Sequence, residues 1–196
     1  MSELLHPRSI GTGRGYIMTK LDHVQITLVD RDKDLVDLFN TTFEDIPSIR
    51  AVCHDIRTYA NKDGAALVSP AISGIDEVYA AMFGGWIQSS VQYLIRTYHL
   101  GEIPVGSTEW ISFTHERHGY NGLIVAPTMD IPRDVSGTRN AYWAFRAILV
   151  CAIRKNIRRI VMPGLCTGIG SMSHTEMCLQ TLEAWNSVSD YLTELV

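Results

Sequence analysis

Apolar positions along this chain switch between two periods, which divides it into alternating strands and helices. Residues 24–29 (VQITLV) are rich in β-branched and apolar types and predict a strand. Leu35, Leu38, Phe39 and Phe43 follow at helical spacing. Residues 49–54 and 65–69 predict two more strands. From 75 to 98, the positions Ile75, Val78, Tyr79, Met82, Phe83, Trp86, Val91, Leu94, Ile95 and Tyr98 fit one long amphipathic helix. Gly84 and Gly85 mark a kink or a tight packing point within it. The run Met82, Phe83, Trp86 reads as core. Residues 108–114 and 123–126 are strands, and Ala141, Phe145, Ile148, Leu149 and Ala152 define a further helix. A short strand at 160–162 precedes a last helix carrying Cys178, Leu182, Trp185, Val188, Tyr191 and Leu192.

Strands alternating with helices imply a three-layer α/β/α sandwich around a mixed, largely parallel sheet. Neither an internal repeat nor a second domain is visible, so residues 21–196 are read as a single domain. Residues 1–20 are read as a flexible N-terminal arm, since the first 17 have no period and are rich in Gly, Ser and Arg. Gly11, Gly13 and Gly15 have no strand before them, which argues against a phosphate role there. No apolar segment of secretory or membrane-spanning type is present, so a soluble, cytoplasmic protein is expected.

Composition narrows the chemistry. Hydrophobic residues make up 46% and charged residues 19%, which suits a globular chain with a sizeable core. A net charge of −4 argues against a general nucleic-acid surface. The basic cluster Arg154, Lys155, Arg158 and Arg159 falls at a helix C-terminus, where the dipole favours cations. The cysteines at 53, 151, 166 and 178 form no C-x-x-C pair, so neither zinc nor a redox dithiol is expected. His115-x-x-His118 has no acidic or cysteine partner in sequence and reads as an exposed turn. No metal and no cofactor are expected.

The segment 163–173 (PGLCTGIGSMS) carries the clearest chemical signal. It lies between a short buried strand and Ser173-x-x-Glu176, a capping box that opens a helix. A glycine-rich turn there lets backbone N–H groups approach a phosphate, with the positive end of the helix dipole behind them. The plain alternative is a strand-to-helix turn that binds nothing. In open α/β sheets, ligands bind beyond the carboxyl ends of the strands. That rule gathers Asp55-Ile56, residues 69–76 and residues 164–172 into one neighbourhood.

In this order, the three segments resemble the macro domain family, over a stretch from about residue 21 to the C-terminus. His54-Asp55-Ile56 is similar to the family's Gly-Asp-Ile, with His in place of Gly. Residues 67–76 (LVSPAISGID) look like a branch reading Ser-Pro-Ala where others have Asn-Ala-Ala. Cys166-Thr167-Gly168-Ile169-Gly170 is similar to the second phosphate loop, Ser-Thr-Gly-Ile. Ala126-Pro127-Thr128-Met129 and Asn140-Ala141-Tyr142 also fit that branch. The resemblance implies a ligand, ADP-ribose or a related adenine diphosphate, free or attached to protein. It implies that Asp55 takes the adenine amino group and that Ile56 and Ile169 wall the adenosine. It further implies that Ala71, Ile72, Gly74 and Ile75 form a first loop, and Gly164, Cys166, Thr167, Gly168, Ile169 and Gly170 a second.

Two departures lie on the distal-ribose side. Ile72 stands where hydrolytic relatives have Asn, and isoleucine neither donates nor accepts a hydrogen bond. The glycine-rich stretch before Gly74 is also short. Both favour a binding module over an ADP-ribosyl hydrolase or an ADP-ribose 1″-phosphate phosphatase. A third alternative is an interaction module with a degenerate pocket. Asp76 is a candidate general base or a helix-start acid. Cys166 is either a small loop residue or a thiol activated by the helix N-terminus. Asp130, Arg133 and Asp134 read as solvated charges of a loop near the pocket.

Overall fold

The computed structural model describes residues 21, 23–60, 64–70, 75–115 and 118–194, with the backbone alone at 75, 76 and 115. Among the described residues, six strands and five helices follow one another as β1 (Gln25–Asp30), α1 (Lys33–Thr42), β2 (Ile49–Cys53), β3 (Ala65–Ser69), α2 (Ile75–Phe83), α3 (Trp86–Tyr98), β4 (Glu109–His115), β5 (Tyr120–Val125), α4 (Asn140–Lys155), β6 (Arg159–Met162) and α5 (His174–Glu194). The strands form one sheet in the order β2-β1-β6-β3-β5-β4. All neighbours are parallel except β4, which pairs antiparallel with β5 at one edge. The carboxyl ends of β1, β2, β3, β5 and β6 therefore open on the same side of the sheet. The residues of the expected arm, 1–20, lie outside the described ones.

The two-residue period of the strands sorts their side chains into two cores. Ile26, Leu28, Ala66, Val68, Ile124, Ile160 and Met162 face one layer, with Leu35 and Phe39 of α1, Phe145 and Leu149 of α4, and Met177 and Trp185 of α5. Val29, Ala65, Leu67, Leu123, Val125 and Val161 face the other, with Tyr79 and Phe83 of α2 and Ile87 of α3. This is the expected three-layer sandwich with a mixed, mostly parallel sheet.

The helix expected over 75–98 is broken. Gly84 has φ +95°, outside the right-handed helical region, and the chain restarts as α3 at Trp86. The Trp86 indole N–H donates to the Phe83 carbonyl at 2.6 Å and fixes the break. Of the run expected as core, Phe83 is buried and Met82 half-buried, but Trp86 is 45% exposed. Its ring meets Phe113 edge-on at 5.4 Å. Arg154 and Lys155 stand in the last turn of α4, which closes on Asn156 in the left-handed conformation, φ +53°.

Candidate functional site

The loop joining β6 to α5 is built around glycines that have no room for a side chain. A Cβ on Gly164 would lie 2.6 Å from Thr167 Oγ1 and 2.8 Å from Leu35 Cδ2. One on Gly170 would lie 2.6 Å from the Cys166 carbonyl oxygen and 2.8 Å from Val135 Cγ2. The turn is closed by Met172 N–H donating to Cys166 O and Ser171 N–H to Gly168 O, both at 3.0 Å. Val135 N–H donates to Gly170 O at 2.9 Å and ties in the loop that follows β5. Cys166 takes φ +63°, which turns the chain and sends its own side chain inward. Gly168, by contrast, has nothing within 4 Å of an added Cβ, and Ile169 is 49% exposed. Among the described residues, none accepts a hydrogen bond from the amides of Thr167, Gly168, Ile169 or Gly170.

Ser173 Oγ accepts from the Glu176 amide at 3.2 Å, as a capping residue should. The reciprocal half of the capping box is not made. The Glu176 carboxylate instead accepts from Gly137 N–H at 2.9 Å, because the loop after β5 packs within its reach. Asn140 supports the same loop by donating to the Thr128 carbonyl at 2.8 Å.

A cleft of about 290 Å³ lies over the loop, lined by its residues 163, 164 and 166–170 and by Pro70, Thr128 and Met129. Asp30 and Pro163 also line a neighbouring cleft of about 300 Å³ that holds Asp55 and Ile56. The two clefts adjoin at Asp30 and Pro163, beside the carboxyl ends of β2, β1, β6 and β3. Asp55 and Ile56 line one of these adjoining clefts, and Gly164, Cys166, Thr167, Gly168, Ile169 and Gly170 line the other. Ala71, Ile72 and Gly74 lie outside the described residues. Ile75 and Asp76 occupy the first turn of α2, with their side chains outside the described ones.

The two clefts also contain residues the sequence did not single out. Asp30, the last residue of β1, accepts from Gly164 N–H at 3.4 Å and from Asp32 N–H at 3.0 Å. Asp32 caps α1 through Asp34 N–H and Leu35 N–H, and its other oxygen lies 3.5 Å from His174 Nε2. An Asp two residues past a strand and just before a helical apolar pattern was the available signal for that cap. Arg57 binds both oxygens of Asp55 through its guanidinium, and its backbone N–H donates to Oδ1 at 2.9 Å. The Arg57 guanidinium holds the Asp55 carboxyl well below the usual carboxylate range.

The thiol of Cys166 is not activated. It is buried, and burial pushes it up to about 12, against a smaller opposing effect of a hydrogen bond with Thr128. Proximity to a helix N-terminus does not offset that desolvation. His118 packs edge-on against Phe83 at 6.4 Å and is half-buried rather than exposed. Among the described residues no group of three or more His, Cys, Asp or Glu could hold a metal ion. Asp130 and Arg133 pair at 2.9 Å, and Asp134 accepts from Ser136. Among the described residues, no helix is long and apolar enough to cross a membrane.

No protein-family model matches the sequence, and no curated protein matches it. Solved structures do match. One is the macrodomain of Mycobacterium tuberculosis DarG, at a TM-score of 0.53 and 17% sequence identity, over 68% of this chain and 91% of that one. With the strand order, the two helical layers and the loop between β6 and α5, that likeness identifies the fold of this chain as the macro domain fold.

Proposed function

We propose that this chain binds ADP-ribose, or a related adenine diphosphate nucleotide, in the two adjoining clefts beside the carboxyl ends of its parallel strands. One observation carries the reading: four consecutive amides, from Thr167 to Gly170, donate to no described group and border a cleft beside the N-terminus of α5. Such a row of N–H donors suits a diphosphate. Gly168 leaves the space above it open. Gly164 and Cys166 give the loop its shape, and Ile56 and Ile169 supply apolar surface for the adenosine. Asp55 stands at the adenine end. On the family resemblance, Ala71, Ile72, Gly74 and Ile75 form a first phosphate loop, with Ile72 on the distal-ribose side. Asp30 and Asp32 bring negative charge near the clefts, but their oxygens are engaged with backbone N–H groups and with His174.

Binding without cleavage fits this site better than hydrolysis. Cys166 is buried and protonated at neutral pH, so it offers no nucleophile. Ile72 supplies no polar group to hold a water at the anomeric carbon. Calorimetric titration with ADP-ribose and AMP side by side tests the binding reading. ADP-ribose is expected to bind one-to-one with a micromolar Kd, about −8 kcal/mol, and more tightly than AMP. No heat at millimolar ADP-ribose would refute it. A turnover assay on protein carrying ADP-ribose on acidic side chains is expected to show little release, and rapid multiple turnover would put the hydrolase first.

A further inference from the structure

We propose that Arg57 sets how sharply the site distinguishes adenine from other purines, because it holds the carboxylate that adenine must reach. This rests on the nucleotide-binding reading above. An ionised carboxylate offers about four acceptor positions. Arg57 brings three donors to them: its backbone N–H reaches Asp55 Oδ1 at 2.9 Å, its Nε–H is shared between Oδ1 and Oδ2 at 2.9 Å each, and Nη2 meets Oδ2. Arg31 Nη1 stands a further 4.0 Å from Oδ2. The exocyclic amine of adenine is a donor too and competes with these groups for the same two oxygens.

The exchange is feasible because the pair is at the surface. The side chain of Arg57 is 54% exposed and that of Asp55 25%. An exposed ion pair gives way easily to a competing partner. Arg57 and Val78 line both the cleft that holds Asp55 and an adjoining one of about 620 Å³ whose wall includes Glu77. A displaced guanidinium therefore has an open cleft to enter, one that Glu77 also lines.

The same pair also presents donors to the base. Hypoxanthine carries a carbonyl where adenine carries its amine, and that carbonyl accepts from Arg57 while being repelled by a bare Asp55. With Arg57 in place the site offers something to either base. Without it, only the acceptor remains.

The test compares ADP-ribose with its inosine counterpart by calorimetry, on wild type, Arg57→Ala and Asp55→Ala, with thermal melting as a check that each variant folds. Wild type is expected to bind the two within about threefold, as a weak exposed pair allows. Arg57→Ala is expected to prefer the adenine form by about tenfold or more, since one charge-assisted hydrogen bond becomes selective. Asp55→Ala is expected to show no adenine preference. If wild type binds both nucleotides and Arg57→Ala leaves the ratio unchanged or smaller, the role given to Arg57 is wrong. If neither nucleotide binds wild type or either variant, the nucleotide reading itself falls, and this inference with it.

Discussion

At the scale of single residues, the β6–α5 loop separates glycines that shape it from a glycine that leaves space. Gly164 and Gly170 are hemmed in by neighbours within 3 Å of an added Cβ, whereas Gly168 is not. Gly168→Glu therefore tests the pocket without attacking the fold. Its side chain would enter the space proposed for the diphosphate and bring a like charge. ADP-ribose affinity is expected to fall by more than about a hundredfold, because juxtaposed like charges cost several kcal/mol. The melting temperature should stay close to wild type. Unchanged affinity would move the ligand away from this loop. Asp55 illustrates how far a motif reaches: its place at the end of β2 was legible from His54-Asp55-Ile56. Its capture by Arg57 was not, because hydrogen bonding between residues two apart in a turn leaves no periodic trace in sequence.

At the scale of elements, strands with buried faces were the most legible. Residues 65–68 and 160–162 are apolar runs, each followed within two residues by proline, and β3 and β6 lie there. The apolar spacing of 75–98 carries no information on φ, so a smooth helical period runs straight through the break at Gly84. The capping box was half legible. Ser173 caps α5 as read, while Glu176 turns to Gly137, 39 residues away in the chain. That contact depends on how the loop after β5 packs, which local sequence does not specify. The loop between β6 and α5 owes its shape to the same tertiary contact, since Val135 lies beneath Gly170. Gly170→Ala is therefore expected to destabilise the protein by about 1–3 kcal/mol through overpacking against Cys166 O and Val135. It should weaken ADP-ribose binding as well. Denaturant unfolding and titration of the same variant check both. Wild-type values in each would mean that the loop accommodates a side chain at 170.

At the scale of the whole molecule, the two faces of the sheet differ in how deeply their covering helices are buried. The face covered by α1, α4 and α5 buries large side chains such as Phe39, Phe145 and Trp185. On the other face, Val91, Leu94 and Ile95 of α3 are only partly buried, and Tyr93, Tyr98 and Leu100 are exposed. The proposed diphosphate loop is rooted in the core under α1, α4 and α5 through Leu165, Cys166 and Met172. The central claim is that a nucleotide diphosphate sits on the amides of Thr167, Gly168, Ile169 and Gly170. The most direct measurement is an amide NMR titration of the full chain with ADP-ribose. The largest shifts are expected on those four amides, with smaller ones at Asp55, Ile56 and Arg57, and little change along α3. Saturable shifts clustered elsewhere, or no shifts at millimolar ligand, would contradict it.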